Sequence, residues 1–112
     1  MKQVLLILVF ILTFLVGCEK LFTTDVKYEV ESSTPGFSVY YTTASGGEEN
    51  DEVQGYSWSK EVAVDNDVKQ VCLSVFPDSV SLHSSITVKI YIENKLELED
   101  SGYVFLNRCV DL

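Results

Sequence analysis

Three features of the 112-residue sequence predict an all-β fold: a single antiparallel immunoglobulin-like β-sandwich of seven or eight strands that follows a signal peptide. Apolar and polar residues alternate with period 2 over several short runs, the pattern of strands that bury one face. Turn residues punctuate those runs every ~8–12 positions, the spacing of small sandwiches. No convincing helical period appears after residue 17.

The chain opens Met1-Lys2, is apolar over residues 4–16 apart from Thr13, and reaches Leu15-Val16-Gly17-Cys18. A charged start, a short apolar run and a small residue before the cut describe a secretory signal peptide. At the helical rise of ~1.5 Å per residue such a run covers about 20 Å, short of the ~30 Å hydrocarbon core of a bilayer. The Leu-Val-Gly-Cys ending resembles the bacterial lipobox, which implies that the Cys18 thiol takes a diacylglyceryl group and that Cys18 becomes the new N-terminus. Glu19 follows it, where the aspartate that retains many lipoproteins in the inner membrane would stand. The expected location is therefore the cell envelope, lipid-anchored, in the outer membrane of a Gram-negative bacterium.

Removal of residues 1–17 leaves 95, enough for one domain with a modest core. Residues 18–24 read as the lipidated N-terminus and tether, and residues 25–112 as the sandwich. Lys2 leaves with the signal, so 7 Lys+Arg remain against 17 Asp+Glu, a formal charge of −10. That balance excludes nucleic acid, whose binding rests on clustered Lys and Arg against phosphates. It also excludes adsorption of the protein surface to anionic lipid, and leaves attachment to the acyl chains on Cys18.

The first strand is signalled by Val26, Tyr28 and Val30 alternating with Lys27, Glu29 and Glu31, and ends at Ser32-Ser33-Thr34-Pro35-Gly36. Phe37, Val39 and Tyr41 make the next. Residues 44–52, with Gly46-Gly47 and then Glu48, Glu49, Asn50 and Asp51, read as a flexible acidic loop. Val53, Tyr56 and Trp58 lead into Val62 and Val64, a hairpin-like region that Asp65-Asn66-Asp67 closes. Val71, Leu73 and Val75 share one face, with Gln70, Cys72 and Ser74 on the other; Pro77-Asp78 ends that strand. Ile86, Val88, Ile90 and Ile92 form another, followed by Asn94-Lys95 as a two-residue hairpin turn, since Asn tolerates positive φ. The Leu96-Glu97-Leu98-Glu99 segment alternates too, and Ser101-Gly102 turns into a last strand over residues 103–110. The expected core includes Val39, Leu73, Val75, Val88, Ile90 and Val104, with Trp58 as a plug between the sheets. Tyr40 and Tyr91 fit either the core or an exposed face.

These strands resemble two groups of small exported β-domains. The runs that carry the likeness are Val26-Lys27-Tyr28-Glu29-Val30, Val39-Tyr40-Tyr41 with Gly46-Gly47, Trp58-Ser59, and residues 86–92. They are similar to the mycobacterial membrane protein, small (MmpS) accessory family and to short Bacteroides-type lipoproteins. The MmpS likeness implies a role as accessory protein of a resistance-nodulation-division-type exporter. Those proteins carry a transmembrane anchor, and the Leu-Pro before their tryptophan is Tyr56-Ser57 here.

No catalytic set is legible, so a non-enzymatic binding or accessory module is expected, with an envelope protein, a glycan or an exporter as candidate partner. His83, the one histidine, lies in a polar stretch with no orienting partner or nucleophile in reach of a motif. One histidine and scattered cysteines do not make a zinc site, and Asp65-Asn66-Asp67 lacks the continuation of a calcium loop. Solvated turns account for both acidic clusters, and no metal or cofactor is expected. Cys72 and Cys109 form an even pair in an exported domain once Cys18 is acylated. Both fall on the outward phase of their strands and are candidates for a disulfide, provided those strands are neighbours.

Overall fold

The structure, a computed structural model, describes residues 23–79 and 84–112. The expected signal peptide (residues 1–17), Cys18 and His83 lie outside the described residues. Eight strands follow in order: β1 (Thr23–Ser32), β2 (Phe37–Thr42), β3 (Glu48–Val53), β4 (Ser57–Asp65), β5 (Gln70–Pro77), β6 (Ile86–Ile92), β7 (Lys95–Gly102) and β8 (Leu106–Asp111). They form two antiparallel four-stranded sheets, β4-β1-β6-β7 (the β1 sheet) and β3-β2-β5-β8 (the β2 sheet). Hairpins join β2 to β3 and β6 to β7, and every other connection crosses between the sheets.

The alternating residues read from the sequence fill the space between the sheets. Val26, Tyr28 and Val30 of β1 and Val88 and Ile90 of β6 face Val39 of β2 and Leu73 and Val75 of β5, all buried. Val104 does not join them. It stands 53% exposed in the turn before β8, because the last strand starts at Leu106, and Leu106 takes the core position. Trp58 is half-buried and packs against the core from β4, an edge strand; the fully buried aromatics of the interior are Tyr28 and Phe37.

Four segments depart from the sequence reading. Residues 48–53 are an edge strand rather than a loop. Their backbone pairs with β2 from Phe37↔Val53 to Thr42↔Glu48, although an exposed edge imposes no apolar alternation. The turn before them is tight: Thr43 N donates to Gly47 O at 2.9 Å, and Gly46 sits at φ +91°. β3 and β4 belong to different sheets, so residues 53–64 are not a hairpin. The β6–β7 turn is Glu93-Asn94, one residue earlier than expected, with Ile92 opposite Lys95. Glu93 holds φ 51° because β1 grips it: Glu93 N donates to Asp25 O at 2.8 Å, and Asp25 N donates to Glu93 Oε1 at 3.0 Å. β1 also starts at Thr23, so Thr23 and Thr24 pair with Asp65 and Val64.

Candidate functional site

The two ends of the sandwich differ in what they expose. At one end β1 begins, beside the β2–β3, β4–β5 and β6–β7 turns; the chain terminus closes here too, where Leu112 N donates to Lys69 O at 2.9 Å. At the other end β1 hands over to β2, β3 to β4 and β7 to β8, and here the exposed apolar side chains gather. Tyr56, Tyr103, Val104 and Phe105 are 58%, 60%, 53% and 47% exposed. Single exposed apolar residues are ordinary; three in succession at one loop are the kind of patch that marks an interaction surface.

This loop continues onto the outer face of the β2 sheet. Phe105 stacks on Phe76 with ring centroids 4.6 Å apart, and Phe76 meets Tyr40 edge-on at 5.4 Å. Such ring pairs fix one another in place and contribute about 0.5–1.5 kcal/mol each beyond burial. Tyr40 thus faces outward, as does Tyr91 on the other sheet, where Lys27 Nζ lies 5.8 Å from its ring centroid. Phe76 was legible by phase: with Leu73 and Val75 inward, it must point out.

On the same face Cys72 lies opposite Cys109 across β5 and β8, and the two are disulfide-bonded with Cα atoms 4.1 Å apart. The bridge lies within one sheet, outside the core, unlike the inter-sheet bridge of immunoglobulin domains. Ser74 Oγ donates to Asn107 Oδ1 at 3.0 Å beside it, and Thr42 Oγ1 accepts from Cys72 N at 2.9 Å.

Two acids of β3 tie down aromatic side chains. Trp58 Nε1 donates to Asp51 Oδ2 at 3.0 Å, and Tyr41 Oη donates to Glu49 Oε2 at 3.1 Å. Burial, and then the Glu49 contact, push the Tyr41 hydroxyl pKa up. Among the described residues no group of three or more His, Cys, Asp or Glu is placed to hold a metal ion. Two open grooves of about 280 and 290 Å³ flank the β1–β4 pair; one is lined in part by Asp25, Lys27 and Glu61, the other by Glu29, Glu31 and Trp58. Lys27 is paired to Glu29 at 3.1 Å, and that bond raises its pKa.

No family model matches the chain, and no curated protein matches it. Among solved structures it is similar to the alpha toxin from Clostridium absonum, with a TM-score of 0.43 and 11% identity. That match covers 81% of this chain and 31% of the toxin chain. Among the described residues no helix is long and apolar enough to cross a membrane.

Proposed function

We propose that this chain is a lipid-anchored, non-enzymatic binding or accessory module of the bacterial cell envelope, held in the outer membrane through Cys18. The observation that carries the reading is the apolar group Tyr103, Val104 and Phe105, exposed at the end of the sandwich opposite the start of β1. Cys18 is five residues from Thr23, a reach of at most about 18 Å. The ten residues of β1 add about 33 Å of strand beyond that. A lipid on Cys18 would therefore keep one end near the bilayer and leave the apolar end free for a partner. The acidic residues around the near end, Asp25, Asp65, Asp67 and Glu93 among them, would hold it off anionic headgroups.

Two measurements test this. Cys18→Ala should abolish metabolic palmitate labelling, and label that persists would refute acylation at this residue. A photo-crosslinker at position 104 should give discrete adducts in the native envelope, lost on Tyr103→Ser with Phe105→Ser. Adducts to a resistance-nodulation-division-type exporter would select the accessory form of the reading, and adducts to a glycan or other envelope protein the display form. No adduct at all would sink the binding role of this end.

A further inference from the structure

The outer faces of the two sheets carry opposite chemistry. On the β1 sheet the outward positions are charged, with Lys27, Glu29, Glu31, Glu61 and Lys89. On the β2 sheet the two central strands present Ser38, Tyr40 and Thr42 beside Phe76, Ser74 and Cys72, and none is charged. In a chain of formal charge −9, two uncharged central strands let two copies approach with little like-charge contact.

We propose that this face is an isologous dimer interface between two copies of the chain. The pairing register supplies the argument. Within one copy Ser38 lies beside Phe76, and Tyr40 beside Ser74, so large and small change places across β2 and β5 from one level to the next. A two-fold axis parallel to the strands, running between β2 and β5, sets β2 of one copy over β5 of the other at the same height. Each Phe76 then stands over Ser38 of the second copy, and each Tyr40 over its Ser74. Large packs over small at these two levels, the interdigitation that lets aligned sheets close to about 10 Å, and at the third level the small Thr42 and Cys72 face each other. The same axis places the acidic edge residues Glu48 and Glu52 over β8 of the second copy, where Asn107 and the disulfide are uncharged and Asp111 accepts from Gln70 Nε2 at 3.1 Å, so the two β3 edges do not meet. It also keeps both β1 starts at one end, so two copies tethered there stand on a single membrane.

Size sets the strength. Four strands about 4.8 Å apart and six residues deep give a face of about 400 Å². Stable interfaces bury about 800 Å² per partner. Association is therefore weak in solution and becomes substantial when both copies share a membrane, where effective concentration is high. The pairing itself rests on the sheet geometry; only the gain on a membrane rests on the anchoring proposed above.

The test is a size exchange. Full-length protein carrying donor or acceptor fluorophores beyond Leu112 is reconstituted in phosphatidylcholine vesicles, and energy transfer is read against surface density. Wild-type transfer should exceed that of randomly placed monomers. Tyr40→Ser leaves a hole and Ser74→Tyr a clash, so each should weaken association about tenfold, and the double variant should recover to within about threefold of wild type. A heterologous partner gives no such rescue. Should Ser74→Tyr fail to fold, Ser38→Asp, which puts a charge beneath Phe76 of the second copy, must abolish transfer. Wild-type transfer at the random level, single variants without effect, a folded double variant without rescue, or transfer that survives Ser38→Asp would each overturn the dimer. Val104→Ser should leave transfer unchanged, which separates failure of this interface from failure of the apolar end as a binding site.

Discussion

Gly36 shows how one residue fastens a corner of the sandwich. It sits at φ +92°, and an added Cβ would come 2.7 Å from Asp78 Oδ2. Its carbonyl accepts from Asp78 N at 3.1 Å, and its own N–H donates to Gly55 O at 3.2 Å, so three crossovers between the sheets meet here. Gly36→Ala adds a left-handed penalty of about 1–2 kcal/mol and pushes on the carboxylate. The expected outcome is a urea midpoint lowered by that amount at unchanged slope, and an unchanged midpoint would refute it. Tyr28 makes the contrasting case: a polar tip placed at the centre at little cost. Its side chain is fully buried, its hydroxyl donates to Thr42 O at 2.9 Å, and its ring lies 5.8 Å from that of Tyr41. A buried hydroxyl without that acceptor would lose about 1–3 kcal/mol.

At the scale of elements, the edges explain what the sequence pattern obscures. β7 carries a bulge: Tyr91 opposes Leu96 while Ile90 opposes Leu98, leaving Glu97 unpaired. The extra residue shifts Leu96 out of phase with Leu98, which is why Leu96 is 44% exposed despite the alternation. On β4, Lys60 falls on the inward phase opposite Tyr28, an inward charge that discourages edge-to-edge pairing. β8 is an edge strand paired only with β5, and the Cys72–Cys109 bridge clamps it there. The sequence separation of 37 corresponds to about 3–4 kcal/mol of loop-closure entropy removed from the unfolded chain. Denaturant unfolding with and without dithiothreitol should differ by that amount, with β8 amides losing hydrogen-exchange protection first on reduction. Equal stabilities would show that the bridge adds nothing.

Across the whole molecule, the sheets are tied at both sides by polar contacts over the shared core. The Trp58–Asp51 hydrogen bond closes the β3–β4 side, and Arg108 with Asp100 closes the β7–β8 side. Arg108 holds the Asp100 carboxyl below its ordinary range, helped by the Ser101 N–H at 2.8 Å. A carboxyl held low in the folded state stabilises the fold at pH values above the unfolded pKa of about 3.9, and that contribution fades as pH falls through the lower folded value. Melting temperature should therefore drop on acidification through that window, and Asp100→Asn should flatten this part of the drop. A variant with the wild-type acid profile would show that the pair carries no pH dependence.

The sequence by itself determined the class of fold and most of the core, because period-2 alternation in β1, β2, β5 and β6 leaves one face apolar whichever strand lies alongside. Phase alone likewise turned Cys72 and Cys109 outward. Tertiary structure decided what alternation cannot carry. An edge strand such as β3 is specified by backbone pairing rather than by apolar side chains, so its four acids disguised it as a loop. The Glu93-Asn94 turn depends on a grip from Asp25, 68 positions away in the chain. The outward aromatic row, Tyr40 with Phe76 and Phe105, exists only once β2, β5 and β8 are neighbours in register. Pairing partners are a long-range property, and a single strand's pattern records which face is apolar without recording whose face it meets.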